Sequence, residues 1–298
     1  MDNVIRINTI EDYTDLFGCP AARHPLMSLC RLSDVKDFVS PGCPVELNLY
    51  TIVVKDGNTC TEQYGWHEYD FRRGALSFFA PGQLHRWGDA RADASRWGWM
   101  LSFHPDFIRR HALGQLIKSL RFFGYETNEA LHVSDSERQT IESLMENMER
   151  EYQRDIDEHT QGIIVSLIDV LMNYAERFYT RQFRTRQSVE PDILQRVREA
   201  INQHYAQRNA SLITPRDIAD RLCMSPHYLT DYLRTQTGQN TQQHIYAYLI
   251  DRAKHLLLTT DSPASEIAYR LGFEYPQHFA RFFKQKTGLT PIEFRKAG

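Results

Sequence analysis

This sequence of 298 residues has no long apolar run and few cysteines. No stretch of about 18 apolar residues occurs, so we expect no membrane-spanning helix, and residues 1–11 lack the apolar core of a secretory signal. The cysteines are odd in number and show neither metal-ligand nor CxxC spacing: Cys19, Cys30, Cys43, Cys60 and Cys223. These absences predict a cytoplasmic protein with reduced thiols, no membrane partner and no cofactor.

Excess charge of one sign is also small overall, because the formal net charge is only −3. That value hides an asymmetry between the two ends of the chain. Residues 191–298 hold 14 Lys and Arg against 10 Asp and Glu, whereas residues 1–190 hold 21 against 28. A basic C-terminal part joined to an acidic N-terminal part favours nucleic-acid contact at one end only.

What the chain does contain is an internal repeat within residues 214–295. One copy reads Ile-Ala-Asp-Arg-Leu-Cys-Met from Ile218, and the other reads Ile-Ala-Tyr-Arg-Leu-Gly-Phe from Ile267. A second helical segment follows each copy and ends in Thr-Gly, at Gly238 and at Gly288. Repetition of this kind indicates one structural unit used twice.

Each copy has the start and stop signals of two short helices joined by a tight turn. Thr214 and Ser262 stand before Pro215 and Pro263, as N-cap residues stand before a first-turn proline. The pattern predicts helix-turn-helix units at residues 214–238 and 262–288. A helix over residues 240–258 would be roughly 27 Å long. It could therefore place two recognition helices in successive major grooves, about 34 Å apart.

These residues carry a family resemblance. The second copy continues as Gly-Phe-…-Phe-…-Arg-Phe-Phe-Lys-…-Thr-Gly-…-Thr-Pro-…-Phe-Arg, and with the first copy it resembles the DNA-binding domain of the AraC family of bacterial transcription regulators. The resemblance covers about a third of the chain and implies an all-α C-terminal domain at residues 192–298. It also implies double-stranded DNA as a partner and, in an activator, contact with RNA polymerase.

The N-terminal part predicts an α+β fold. Residues 45–54 alternate and are rich in β-branched residues, and further strand-like runs lie at residues 59–64, 69–72, 76–80 and 97–103. Several short strands with Gly and Pro turns predict an antiparallel barrel or sandwich. The segment at residues 74–85 resembles the cupin-like β-barrel that precedes the DNA-binding domain in many AraC-family proteins, so we assign residues 1–104 to an effector-sensing barrel. Residues 105–180 are predicted to be helical, with a wide apolar stripe that suits a homodimer interface, and residues 181–191 to form a linker.

The barrel shows no catalytic or metal-binding constellation. His67 stands alone and His85 has no evident partner in the sequence, whereas cupin enzymes use clustered histidines and a glutamate. The aromatic residues of this part are expected to form its core more than a ligand cage: Trp66, Phe71, Phe78, Phe79, Trp87, Trp97, Trp99 and Phe103. A barrel of this kind can still hold one small-molecule effector.

The candidate DNA-binding residues lie on the second helix of each unit, since its first turns face the major groove. Base-edge contacts specify sequence and phosphate contacts position the protein. The base-reading candidates are His227, Tyr228, Thr230, Asp231, Gln277, His278 and Arg281. The phosphate candidates are Arg234, Lys284 and Lys286. Leu229, Leu233, Phe279 and Phe283 are assigned to the core.

The sequence therefore predicts a non-enzymatic, sequence-specific transcription regulator, in which ligand or dimer state changes how the two units meet DNA. Two alternatives stay open. The barrel could be a dimerisation scaffold in a constitutive regulator, or the chain could be a cupin-type metal enzyme with a passenger DNA-binding domain. A ligand-induced melting shift and metal analysis of the purified protein would separate them.

Overall fold

A computed structural model describes seven stretches of the chain: residues 4–36, 42–55, 74–85, 97–126, 129–189, 193–206 and 211–297. The molecule divides into two compact units, an N-terminal unit (Met1–Gln182) and a C-terminal unit (Phe183–Gly298). Within the described stretches, no helix is both long and apolar enough to cross a membrane.

The N-terminal unit contains two β-sheets. The strands of the smaller sheet lie in the order β1 (Ile5–Ile7), β3 (Val45–Leu47) and β6 (Gln83–His85). Those of the larger sheet lie in the order β2 (Met27–Arg31), β7 (Gly98–Phe103), β4 (Tyr50–Lys55), β5 (Ala75–Phe79) and β8 (Leu131–His132). The described strand pairs are antiparallel, as predicted, except that β1 pairs with β3 in parallel.

The strand predicted at residues 45–54 is two strands in the structure. It breaks at Asn48, whose backbone N–H donates to the carbonyl of Ile7 at 2.9 Å and whose side chain bonds Asn8. This break lets β3 and β4 join different sheets. The strands predicted at residues 59–64 and 69–72 lie outside the described residues, as does His67.

The helices that begin in the N-terminal unit are α1 (Ile10–Phe17), α2 (Pro105–Ile108), α3 (Leu113–Leu116), α4 (Asp135–Tyr152) and α5 (Thr160–Val189). Two of them begin at capping boxes. Thr9 and Asp12 exchange hydrogen bonds at the start of α1, and Ser134 and Glu137 do so at the start of α4. Each box satisfies backbone N–H groups that a helix start leaves unpaired.

The core of the N-terminal unit lies on both faces of β7. On one face, Trp99 donates from its ring N–H to Glu149 of α4 at 3.4 Å. On the other, Met100 packs with Ile10 and Tyr13 of α1. Core positions predicted for the aromatic residues are confirmed for Phe78, Phe79, Trp99 and Phe103, which are all buried.

The C-terminal unit is helical. Its helices are α6 (Ile193–Tyr205), α7 (Pro215–Leu222), α8 (Pro226–Thr237), α9 (Thr241–Thr259), α10 (Ala264–Arg270), α11 (Pro276–Thr287) and α12 (Pro291–Ala297). Helices α7 and α8 form the first helix-turn-helix and α10 and α11 the second, with α9 between them. Asn240 caps α9 in a box with Gln243, so the predicted linking helix is confirmed.

The linker predicted at residues 181–191 is helical over residues 181–189, which belong to α5. The division between the two units falls inside this helix, between Gln182 and Phe183. Phe183 is buried, with 3% of its surface exposed, and packs on α8. The polar and basic composition of this segment does not reveal that it contains a core residue of the C-terminal unit.

Candidate nucleic-acid interface

The turns of the two helix-turn-helix units have left-handed residues at equivalent positions. Cys223 ends α7 with φ 57°, and Gly272, its counterpart, has φ 84°. Glycine adopts this conformation without a steric penalty, whereas a side chain resists it. Both turns therefore have a left-handed residue at the same place, but the first holds a residue that is poorly suited to it.

The first helices of the two helix-turn-helix units begin differently. Thr214 caps α7, accepting from the backbone N–H of Asp217, while the Asp217 carboxylate accepts from the backbone N–H of Thr214 at 2.7 Å. These hydrogen bonds lower the pKa of Asp217. The expected cap at Ser262 is wrong, because Pro263 is the N-cap of α10 and offers no side-chain acceptor.

The Ser262 carbonyl has a different role. It accepts from the guanidinium of Arg295 on α12 at 2.7 Å, and the same side chain donates to the carbonyl of Leu257 at 2.9 Å. Arg295 thus joins the end of α9 to the start of the second helix-turn-helix. Sequence reasoning missed this role, because a basic residue near the end of the chain reads as a solvated charge.

The apolar faces of both recognition helices, α8 and α11, form the core of their helix-turn-helix units. Leu229 and Leu233 of α8 are fully buried, and Phe279 and Phe283 of α11 have 1% and 0% of their surface exposed. All four core assignments are confirmed. Because these faces point inward, the opposite faces of α8 and α11 are the ones left to meet a partner.

Helix α11 presents a polar face to solvent. Gln277, His278 and Arg281 are exposed, as are Lys284 and Lys286. Gln277, Arg281 and Lys284 are spaced four and three residues apart, so they share one helix face. This face offers an amide, a guanidinium and an ammonium, the groups that bond base edges and phosphates.

Helix α8 is less open than predicted. His227 and Arg234 are exposed, and Asp231 is half-buried. Tyr228 is fully buried, so its assignment as a base reader is wrong. The hydroxyl of Thr230 lies 3.1 Å from that of Thr241, an arrangement that ties α8 to α9 instead of pointing into a groove.

Tyr228 is buried because an aromatic residue covers it. The ring of Phe183 meets the Tyr228 ring edge-on at 5.0 Å and the Tyr232 ring at 6.0 Å. The Phe183 carbonyl also accepts from the side chain of Gln236 at 2.6 Å. A sequence signal was available, since Tyr228 and Tyr232 lie four residues apart on one helix face and so indicate an apolar partner.

Within the described residues, no group of three or more His, Cys, Asp or Glu side chains could hold a metal ion. His85 of β6 packs edge-on against Phe79 with ring centroids 4.7 Å apart. Burial lowers the pKa of His85, because removing the ring from water disfavours its charged form.

A protein family, two regulatory proteins and a solved structure are similar to this chain. A family described as a helix-turn-helix domain matches residues 218–297. The arabinose operon regulatory protein of Escherichia coli (strain K12) is 27% identical over 235 residues, 76% of this chain and 74% of that protein. The HTH-type transcriptional activator RhaS of Citrobacter koseri is 29% identical over 96 residues, 32% of this chain and 33% of that protein. A solved structure of the AdpA DNA-binding domain, in complex with a target DNA, is 25% identical and covers 35% of this chain and 90% of its own, with a TM-score of 0.32.

Proposed function

The chain belongs to the AraC family of DNA-binding transcription regulators, and from that premise we propose that it reads DNA through the exposed faces of α8 and α11. One observation carries the proposal. The buried faces of α8 and α11 are apolar, whereas Gln277, Arg281 and Lys284 lie together on the exposed face of α11. A polar helix face with these donors is what a major groove accepts.

The exposed residues divide by chemistry. The fork of Arg281 can donate two hydrogen bonds to O6 and N7 of guanine, and Gln277 can pair with adenine. His227, His278 and Asp231 are the remaining base-reading candidates. Arg234, Lys284 and Lys286 are assigned to phosphates, because a flexible positive charge binds phosphate without reading sequence.

Changing Arg281 to alanine tests this assignment against a matched change of Lys284. We expect Arg281→Ala to abolish the preference at one base pair of a site selected from genomic fragments. Lys284→Ala should instead weaken binding to all sequences alike, and it should reduce the slope of log affinity against log salt concentration by about one. A uniform loss of affinity in Arg281→Ala would make Arg281 a phosphate contact and contradict the assignment.

Helix α9 sets the spacing in this proposal. Its 19 residues span about 28 Å at the rise of an α-helix. A separation on this scale suits two recognition helices that enter successive major grooves on one side of the duplex. The expected binding site therefore contains two specific segments about 10 base pairs apart.

We assign homodimer formation to α5. Ile163 and Val170 are exposed at 43% and 41%, and Leu167 and Tyr174 are half-buried. The four residues follow each other at intervals of four, three and four, the pattern of a two-helix seam. An apolar line of this kind in water favours a second copy of the same helix.

Two acidic substitutions in this stripe test the dimer. The double variant Ile163→Asp and Val170→Asp should sediment as a monomer, because two charges would enter an apolar seam. The matched control is Ser166→Asp with Asn173→Asp, at exposed positions beside the stripe on α5. A double variant that keeps the parent's oligomeric state would remove α5 from the interface.

Effector control is assigned to the sheets of the N-terminal unit, which we propose form a cupin-like barrel. The Tyr13 hydroxyl is buried near those of Thr51 and Ser102, which bond each other at 2.9 Å. Burial also raises the pKa of Tyr13, so its hydroxyl stays protonated. A small polar molecule could exchange hydrogen bonds with this buried cluster of three hydroxyls, each of which can donate and accept.

A thermal-shift screen of small polar metabolites tests the effector. Binding to the folded state should raise the melting temperature of the parent, with a smaller rise in Tyr13→Phe. If no compound shifts the parent, effector control fails and the constitutive alternative replaces it. For transcription itself we propose activation from the cytoplasm through RNA polymerase, which in vitro transcription from a selected site with and without the protein would test.

A further inference from the structure

The end of α5 is built into only one of the two helix-turn-helix units. Phe183 is buried against Tyr228 and Tyr232, and its carbonyl accepts from the Gln236 side chain at 2.6 Å. Tyr228, Tyr232 and Gln236 lie on α8, at its start, middle and last turn. The contact therefore runs along most of this recognition helix.

The second helix-turn-helix is different at each equivalent position. His278, Phe282 and Lys286 of α11 stand where α8 has Tyr228, Tyr232 and Gln236. His278 and Lys286 are exposed, and Phe282 packs on Phe273 of the same helix-turn-helix. Phe282 and the Lys286 ammonium also contact the ring of Tyr246 on α9, at 5.1 and 5.2 Å. The end of α5 thus packs on this face of α8, whereas α9 and Phe273 pack on the equivalent face of α11.

We propose that Phe183 and Gln236 are positioning residues for the first recognition helix: the end of α5 fixes α8, and does not fix α11, for base reading. The inference rests on the proposed DNA reading by α8 and α11. A change at Phe183 or Gln236 should then alter the first half of the DNA site and leave the second half unchanged.

The test compares base discrimination across the whole binding site in the full-length protein. A site is first selected from random DNA with the parent, and the affinity penalty of each single base-pair change is measured. Asp231→Ala and Arg281→Ala assign base pairs to α8 and α11. The penalties are then measured for Gln236→Leu, Phe183→Leu and the control Gln285→Ala, whose side chain is exposed on α11.

In the base pairs assigned to α8, we expect Gln236→Leu and Phe183→Leu to reduce the affinity penalty of a wrong base pair by about 2- to 10-fold, which is the effect of one lost hydrogen bond or of poorer packing. The penalties in the base pairs assigned to α11 should not change. Phe183→Tyr should keep both segments near the parent. Equal losses in both segments, or no loss in either, would overturn the inference. If the parent protein enriches no DNA sequence, the proposed DNA reading itself fails, and that result differs from either outcome for the variants.

Discussion

The two helix-turn-helix units share one fold and differ at the surface that we propose to meet DNA. On α8, Asp231 occupies the position at which α11 carries Arg281, and Tyr228 is buried where His278 is exposed. The first helix-turn-helix also has a capped α7 and the contact with Phe183, which the second lacks among the described residues. The two copies thus share their core packing and differ in the charge that the recognition helix carries and in the contacts that hold it.

The largest expected difference between the two copies concerns affinity for DNA. Arg281→Gln should weaken binding to the selected site by about 1–3 kcal/mol, because a bidentate pair with guanine is lost. Asp231→Asn should weaken binding less, since a carboxylate forms no bidentate pair with guanine and can only accept from a base-edge amino group. Titrations at fixed ionic strength measure both. Equal losses in the two variants would show that the copies contribute alike.

Helix capping should give the second-largest difference between the two copies, in the free energy of unfolding. Thr214→Ala should lower the free energy of unfolding by about 1 kcal/mol, because it removes the cap of α7. Ser262→Ala should have a much smaller effect, because Ser262 acts there through its backbone carbonyl. Urea unfolding of both variants gives the comparison, and a loss at Ser262 as large as that at Thr214 would contradict it.

The turns predict a smaller effect of opposite sign. Cys223→Gly should stabilise the protein by up to about 1 kcal/mol, because the left-handed backbone at this position disfavours a side chain. Gly272→Ala should destabilise it for the same reason. Thermal unfolding of the two variants checks the signs. A stabilising Gly272→Ala would show that backbone conformation does not limit this turn.

The smallest effect is a pH dependence confined to the first helix-turn-helix. Hydrogen bonds with Thr214 lower the pKa of Asp217 in the folded protein. The ionised carboxylate therefore adds to the free energy of unfolding above the pKa of the unfolded chain, about 3.9, and this stabilisation is lost as pH falls through the folded-state pKa. Asp217→Asn should therefore be less stable than the parent at about pH 7, and the difference should vanish at strongly acidic pH. Melting temperatures across this range measure it, with Glu266→Gln as the control at the equivalent position. A difference that persists at low pH would rule out the carboxylate's hydrogen bonds to Thr214 as its cause.

The repeat made the helical unit predictable from sequence. Its apolar spacing places Leu229, Leu233, Phe279 and Phe283 correctly, because helical periodicity is a local property. Tyr228 was misplaced because the ring that packs on it belongs to Phe183, which is distant in the chain. The spacing of Tyr228 and Tyr232 indicates an apolar partner but does not identify it. The same limit applies to Thr230 and Arg295, whose hydrogen-bond partners lie on other elements.

The N-terminal unit was predictable only in outline. The sequence predicted the positions of β3, β4, β5 and β7 but not those of β1, β2, β6 and β8. The break at Asn48 and the parallel pairing of β1 with β3 depend on hydrogen bonds across the sheets. The buried hydroxyls of Tyr13, Thr51 and Ser102 come from three separate elements, so their proximity is a property of the fold. Sequence order alone contains no signal for such a cluster.

Reading of DNA by both helix-turn-helix units is tested most directly by methylation protection of guanine N7 on a selected DNA site. We expect two protected major-groove segments about 10 base pairs apart on one face of the duplex, one of which loses a protected guanine in Arg281→Ala. Protection of a single segment, or two segments that are both unchanged by Arg281→Ala, would contradict the proposed reading.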